Sequence, residues 1–236
     1  MVAAVAPRPG ERLLEIGPGL GALTGRLLDA AGRLTAIEID RDLIRTLTER
    51  FPALDLIQGD ALKFDYRALF LDRSWRVVGN LPYNIATPLI VSLLDLLANI
   101  RDMHFLLQKE VVDRMTATPS TKAWGRLSVV MQYRCDIERL FDVKPVHFRP
   151  PPKVHSTFVR LSPRPTLASL TDPSALDTIL RFAFSGRRKT LRNALKPLEL
   201  QWDRIGVDPK ARPDEIDVAQ YLELANAMAA QRTHES

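Results

Sequence analysis

Arg12-Leu13-Leu14-Glu15-Ile16-Gly17-Pro18-Gly19-Leu20-Gly21 is a short apolar strand that runs directly into a glycine turn. Leu23, Leu27 and Leu28 follow at helical spacing, so the order is strand, turn, helix. Glycines at such a turn let the backbone take positive φ and approach a ligand closely, with the N-terminus of the helix facing it. Taken alone, this pattern is shared by nucleotide binders, dinucleotide binders and turns that bind nothing.

The following strands sharpen the reading. Leu34-Thr35-Ala36-Ile37-Glu38 ends in an acid about twenty residues after the glycines, the spacing that sets a carboxylate against ribose hydroxyls. Asp40 then caps a helix carrying Leu43, Ile44 and Leu47. Leu54-Asp55-Leu56-Ile57-Gln58 ends in Gly59-Asp60-Ala61, which brings Asp60 to the same sheet edge, suited to accept from an adenine amine. Each of Glu15, Glu38 and Asp60 could separately be a solvated carboxylate or a helix cap. Their recurrence at consecutive strand ends favours a ligand.

The fourth strand end is the most specific. Val77-Val78-Gly79 is β-branched and apolar, as a strand covered on both faces requires, and Asn80-Leu81-Pro82-Tyr83-Asn84 stops it, since Pro82 cannot continue the ladder. Ligands of open α/β sheets bind at that edge. Asn80 offers a side-chain carbonyl, the Leu81-Pro82 segment main-chain carbonyls, and Tyr83 a flat ring, a set that fits the exocyclic amine of a planar base. An ordinary strand-to-helix loop uses the same residue types.

Length and charge bound the rest. The 236 residues allow one large domain or a large and a small one, and the net charge of +5 with a pI near 9.5 points to a polyanionic partner. Cys135 is the single cysteine, which leaves no disulfide framework and no thiolate metal site. His104, His147, His155 and His234 lack paired ligand spacing, so no metal site is expected. No signal peptide or membrane-length apolar run is legible, and the expectation is a soluble, cytoplasmic monomer.

Glu15 to Gly21, the Glu38-Ile39-Asp40 strand end, Gly59-Asp60-Ala61-Leu62 and Asn80 to Asn84 together resemble the ribosomal RNA adenine dimethyltransferases. The resemblance continues through Gln108-Lys109-Glu110-Val111 with Arg114, Gly125-Arg126-Leu127-Ser128, Phe148 to Val159, Phe182-Ala183-Phe184 and Arg187-Arg188-Lys189-Thr190-Leu191-Arg192-Asn193. It is closer to the bacterial small-subunit enzymes, which act on two adjacent adenines near the 3′ end of that RNA, than to the resistance enzymes of large-subunit RNA, whose second half is less similar.

The resemblance implies an α/β fold, a Rossmann-like class I methyltransferase sheet, mostly parallel with an antiparallel closing strand, followed by a small C-terminal all-α domain. It implies S-adenosylmethionine as cofactor, held by Glu15, Gly17, Gly19, Glu38, Ile39, Asp60, Ala61 and Asn80. The target adenine would meet Asn80, Leu81, Pro82, Tyr83 and Phe148, the two rings forming a clamp. Accepting both amine hydrogens localises the N6 lone pair, and methyl transfer occurs twice per base. Phosphates would meet Arg114, Lys122, Lys153, Arg187, Arg188, Lys189 and Arg192. Ribosomal RNA or a precursor of the small subunit is the implied partner.

Two departures stand out. Family members carry a basic leader with a Gly-Gln-His/Asn-Phe-Leu segment ahead of the first strand, and this sequence starts beyond it. The resulting expectation is weakened cofactor binding, or an RNA-binding assembly factor in which catalysis is secondary. Gly186 stands where the family has Gln before the Arg-Arg-Lys run.

In the second half, Ala86 to Leu97 reads as a helix, Met103 to Leu107 as a fifth strand, and Glu110 to Arg134 as helical with a break at Thr118-Pro119-Ser120-Thr121. Cys135–Val143 and Val154–Leu161 read as a closing antiparallel pair joined by the loop from Pro145 to Pro152. Pro163-Arg164-Pro165 is the expected boundary, giving a cofactor domain over 1–165 and a helical RNA-binding domain over 166–236. Asp172-Pro173 starts a helix, and Val218, Tyr221, Leu222, Ala225 and Met228 form one stripe of the last. From Lys144 to Arg212 there are fourteen Lys or Arg and five Asp or Glu, so the positive excess lies there.

Overall fold

A computed structural model describes residues 1–71, 74–148, 151–164 and 170–234. Pro165, at the expected boundary, and residues 149–150 of the proline-rich loop lie outside the described residues. The chain groups into two compact units, one of residues 1–112 and 135–163, the other of residues 113–134 and 164–236.

The first unit is built on a seven-stranded sheet in the order β3-β2-β1-β4-β5-β7-β6. β1 (Arg12–Ile16), β2 (Leu34–Glu38), β3 (Leu54–Gln58), β4 (Trp75–Gly79) and β5 (Ile100–Gln108) are parallel. β6 (Cys135–Val143) and β7 (Ser156–Pro163) close it antiparallel, with β7 inserted between β5 and β6. The continuous apolar runs become the interior strands: all five residues of β2 and of β4 are buried. The chain steps outward from β1 to β3 and then crosses to β4 on the other side of β1. The switch point therefore falls between the ends of β1 and β4, where Ile16 pairs with Gly79, and the glycine turn and Asn80 leave the sheet side by side.

The helix after β4 runs from Tyr83 to Leu93 and passes into 3₁₀ turns over Leu94–Asn99, starting earlier than the apolar pattern indicates. Pro82, with φ of −55°, sits at its N-cap. Asp40 caps the helix Arg41–Arg50, its Oδ1 accepting from the amides of Asp42 and Leu43 at 2.8 and 3.2 Å.

A charged network that the sequence reading did not anticipate occupies the opposite end of the strands. Register places Arg76 of β4 beside Asp102 of β5. The buried guanidinium donates to both Asp102 oxygens, at 2.8 and 3.0 Å, and also to Glu11 Oε2 at 2.8 Å and the Val5 carbonyl at 2.7 Å. Arg160 of β7 reaches Asp102 Oδ2 at 3.3 Å. His104 lies buried beside them, pushed down to about 4 chiefly by its burial, and so is neutral at pH 7.

The second unit is helical. Trp124, Val129, Ile179, Leu180, Leu191 and Tyr221 belong to one buried cluster. Trp124 and Val129 come from the segment 113–134, which a single cut near residue 165 leaves with the sheet; the contacts group it with the C-terminal helices because its apolar side chains complete their core. The helix Pro173–Ser185 starts with Asp172 as cap, accepting from Ser174 N at 2.9 Å, and proline at the first position. On the helix Val218–His234, Tyr221, Leu222, Ala225 and Met228 are buried, as the stripe requires. Among the described residues no helix is long and apolar enough to cross a membrane.

Candidate active site

Gly17, Gly19 and Gly21 all have positive φ, of 66°, 57° and 79°. Their surroundings separate them. A Cβ on Gly21 would lie 2.5 Å from the Phe51 ring, so that glycine lets the turn pack on the helix Arg41–Arg50 and its C-terminal end. A Cβ on Gly17 or Gly19 would meet nothing within 4 Å, and both line a cavity of about 1010 Å³. That volume is at the upper end of the roughly 300–1,000 Å³ common for ligand pockets, enough for a nucleoside cofactor and a second nucleoside.

Three carboxylates face this space. Glu38 is buried and held by backbone amides: Gly19 N donates to Oε2 at 3.2 Å, and Ile39 N and Asp40 N to Oε1 at 2.9 and 3.0 Å. Oε1 is thereby filled, while Oε2 keeps a lone pair for a ligand hydroxyl. Asp60 uses Oδ1 to accept from Leu62 N at 2.9 Å, a local cap, and keeps Oδ2 for a ligand, with the Lys63 ammonium 3.9 Å away. Ile39 and Leu62 expose apolar surface on the same wall, and Ala61 lines it while its carbonyl accepts from the Tyr66 hydroxyl at 2.8 Å. Glu15 is buried, takes a 2.7 Å hydrogen bond from Thr24 Oγ1, and is pushed up to about 7 by burial, with the Glu38 charge adding to the rise.

S-adenosylmethionine fits this wall: an apolar slot with an acid for a purine and its amine, an acid for ribose hydroxyls, open glycine backbone, and negative charge for a cationic ligand. Because all three groups bound to Glu38 are N–H donors, Glu38→Gln turns an amide nitrogen toward a donor and removes the charge. Cofactor affinity should fall about 10–100-fold, the worth of a charge-assisted hydrogen bond, with little change in kcat, as read by calorimetry beside steady-state rates. Unchanged affinity would remove Glu38 from the site.

Glu15 and His104, two of the buried titratable groups, oppose each other in the ligand-free protein. Glu15 holds its proton in the native state after the unfolded chain has released it, so its contribution lowers stability as pH rises from 4.5 to about 7. His104 stays neutral where the unfolded chain is protonated, so its contribution raises stability as pH rises from about 4 to 6.5. The slopes cancel over the shared window. Glu15→Gln should therefore raise the unfolding temperature more at about pH 8 than at about pH 5 relative to the parent; equal displacement at both would contradict the buried, protonated carboxyl.

At the end of β4, Asn80 is exposed on the cavity wall, and its carboxamide has no hydrogen-bond partner among the described residues. Pro82, Asn84 and Phe148 share the wall. Leu81 is buried beneath the turn, packed where a Cβ on Gly79 would come within 2.9 Å of it, and is not part of the wall. Tyr83 is also outside the wall: its half-buried ring shares a 2.7 Å hydrogen bond with Ser156 Oγ. Ile85, Leu106, Val143 and His147 line the cavity without having been singled out from sequence. His147, next to Phe148 in the same loop, was the one with a legible signal.

The basic candidates divide by what they already touch. Arg187 donates to the Trp124 carbonyl and lies 5.9 Å from the Phe184 ring, and Arg192 lies 5.9 Å from that of Trp202, so both help hold the helical unit. Arg188 and Lys189 are exposed with no acid paired to them among the described residues. Arg114 and Lys122 are exposed on the helical unit, and Lys153 on the sheet unit.

A family model described as ribosomal RNA adenine dimethylase matches residues 1–230. The chain belongs to that family. As a member of the ribosomal RNA adenine dimethylases it uses S-adenosylmethionine to methylate adenine in ribosomal RNA. Ribosomal RNA small subunit methyltransferase A of Pseudomonas syringae pv. syringae is 53% identical over 97% of this chain and 88% of its own length. The protein of that name from Pseudomonas aeruginosa is 52% identical with the same coverage. These matches do not favour a binding factor without catalysis. Among solved structures, a dimethyladenosine transferase from Plasmodium falciparum superposes with a TM-score of 0.79 at 26% identity, over 94% of this chain and 91% of that one. The 23S rRNA methyltransferase ErmE gives 0.72 at 26% identity, over 97% and 95%. Since the match to the large-subunit enzyme covers 97% of this chain, a likeness to that enzyme extends into the second half of the sequence.

Proposed function

We propose that this chain dimethylates N6 of two adjacent adenines near the 3′ end of small-subunit ribosomal RNA, acting in the cytoplasm as a monomer on a precursor of the small subunit. The identity of 53% to a small-subunit methyltransferase supports the choice of RNA. The observation that carries the chemistry is the unbonded Asn80 carboxamide on the wall of a cavity large enough for two nucleosides.

S-adenosylmethionine, when bound, supplies an electrophilic methyl group on a positively charged sulfur. Glu38 and Asp60 fix the cofactor's ribose and purine, and Gly17 and Gly19 leave backbone open beside it. Adenine N6 is a poor nucleophile because its lone pair is delocalised into the ring. Asn80, on the wall, and a main-chain carbonyl of Leu81-Pro82 would accept its two hydrogens and favour a tetrahedral nitrogen, while Phe148 on the wall and Tyr83, which directly follows Pro82 outside it, would hold the base removed from its stack. The N6 proton is lost after the new bond forms, so no base need be in place beforehand. In this reading the sheet unit, residues 1–112 and 135–163, holds the cofactor and the helical unit meets RNA, with Arg188 and Lys189 as phosphate contacts.

The test is methylation of under-modified small-subunit particles and of large-subunit RNA by the purified chain, followed by nucleoside analysis. N6,N6-dimethyladenosine confined to the small-subunit RNA is expected. Product on large-subunit RNA instead, or no methylated adenine, would overturn the reading.

A further inference from the structure

Tyr83 opens the helix Tyr83–Leu93 directly after the Asn80-Leu81-Pro82 turn. Ser156 opens β7, fully buried, and pairs in register with Gln108 of β5 and Val143 of β6. The 2.7 Å hydrogen bond between their hydroxyls joins the turn carrying Asn80 to the strand that follows the Phe148 loop. Among the described residues the Ser156 hydroxyl has no other side-chain partner, and neither does that of Tyr83. A ring tethered at its far end loses the freedom to swing about its Cβ, so this bond fixes where the ring lies directly after the Asn80-Leu81-Pro82 turn, while rotation about the ring's own long axis is left to packing.

We propose that Ser156 is a positioning residue for methyl transfer: by holding the Tyr83 hydroxyl it fixes the face against which the target base is set. The inference rests on the dimethylation reading above and deepens it. The second transfer depends more on that face than the first does. Adenine presents two equivalent N–H groups, whereas the monomethylated amine presents one, which must be directed at Asn80 while the first methyl is accommodated. A ring free to swing away from its place lets the base shift against Asn80 and misdirects the single remaining hydrogen.

The experiment compares Ser156→Ala, Tyr83→Phe and the double variant on small-subunit particles, measuring each transfer step, the ratio of mono- to dimethyladenosine, cofactor affinity and unfolding temperature. The second step is expected to slow about tenfold, the first less, so that N6-methyladenosine accumulates while cofactor affinity stays within twofold. The three variants should be alike, because each removes the same bond, and Ser156→Thr should restore the product ratio. Losses in the double variant that multiply, or a product ratio like the parent's, would overturn the inference. If Ser156→Ala fails to fold, Tyr83→Phe, which keeps the ring and removes only the hydroxyl, decides the matter by the same ratio. A parent chain that yields no dimethyladenosine would refute the functional reading instead, and is told apart by the parent alone.

Discussion

Asn80→Ala should lose about 10²–10³-fold in kcat while S-adenosylmethionine binds within a few-fold of the parent. The carboxamide is exposed on the cavity wall and has no hydrogen-bond partner among the described residues, so its removal should leave the fold intact. What is lost is an acceptor for the N6 hydrogens as charge develops on that nitrogen with the new bond. With base and cofactor in the cavity and water displaced from it, such a group is worth far more than in solvent. Glu38, Asp60 and the glycine backbone, the groups proposed for the cofactor, follow other strands and are untouched by the change. Single-turnover transfer with saturating RNA, beside calorimetric titration of the cofactor, separates the two effects. Near-normal turnover would sink the mechanism.

The second large effect concerns stability. Asp102→Ala should cost about 3–5 kcal/mol, because Arg76 would stay buried with half its partners gone. Asp102 is fully buried, accepts both arms of the Arg76 fork, and is also reached by Arg160. Glu11 and the Val5 carbonyl would remain on Arg76 and limit the loss. Removing both charges, as in Arg76→Met with Asp102→Leu, should cost less than Asp102→Ala alone, since the buried guanidinium is gone, Glu11 keeps Arg101 and Arg160 is partly open to water. Urea unfolding at constant slope reads both; equal midpoints for the single and double variants would show that the guanidinium finds water when its partner is gone.

The sequence specifies these two sites to different degrees. β1, β2 and β3 match the apolar runs residue for residue, since each run is short, continuous and bounded by glycines or acids, and the cofactor acids follow from where the runs stop. β7 is offset by two residues from the run Val154–Leu161 because pairing fixes its ends, Ser156 against Gln108 and Pro163 against Cys135. Arg76 and Asp102 are 26 positions apart and are opposed only by strand register, which single-sequence patterning does not reveal. The place of residues 113–134 was hidden for a related reason: an apolar helical face specifies that it is buried but not against which core. Tyr83 illustrates the limit of motif reading, for its ring was placed in the clamp and its hydroxyl, which meets Ser156, was not considered.

The insertion of β7 between β5 and β6 has a consequence for the chain as it is being made. β5 can dock beside β4 as soon as Gln108 has emerged, but its other edge must wait for Ser156 and the strand that follows. At about 5–20 residues per second this leaves an apolar strand with an unpaired edge for several seconds of translation. The Phe148 side of the cavity is assembled by the same late event, so a nascent chain can display the strand ends that carry Glu15, Glu38 and Asp60 well before the cavity around them is complete.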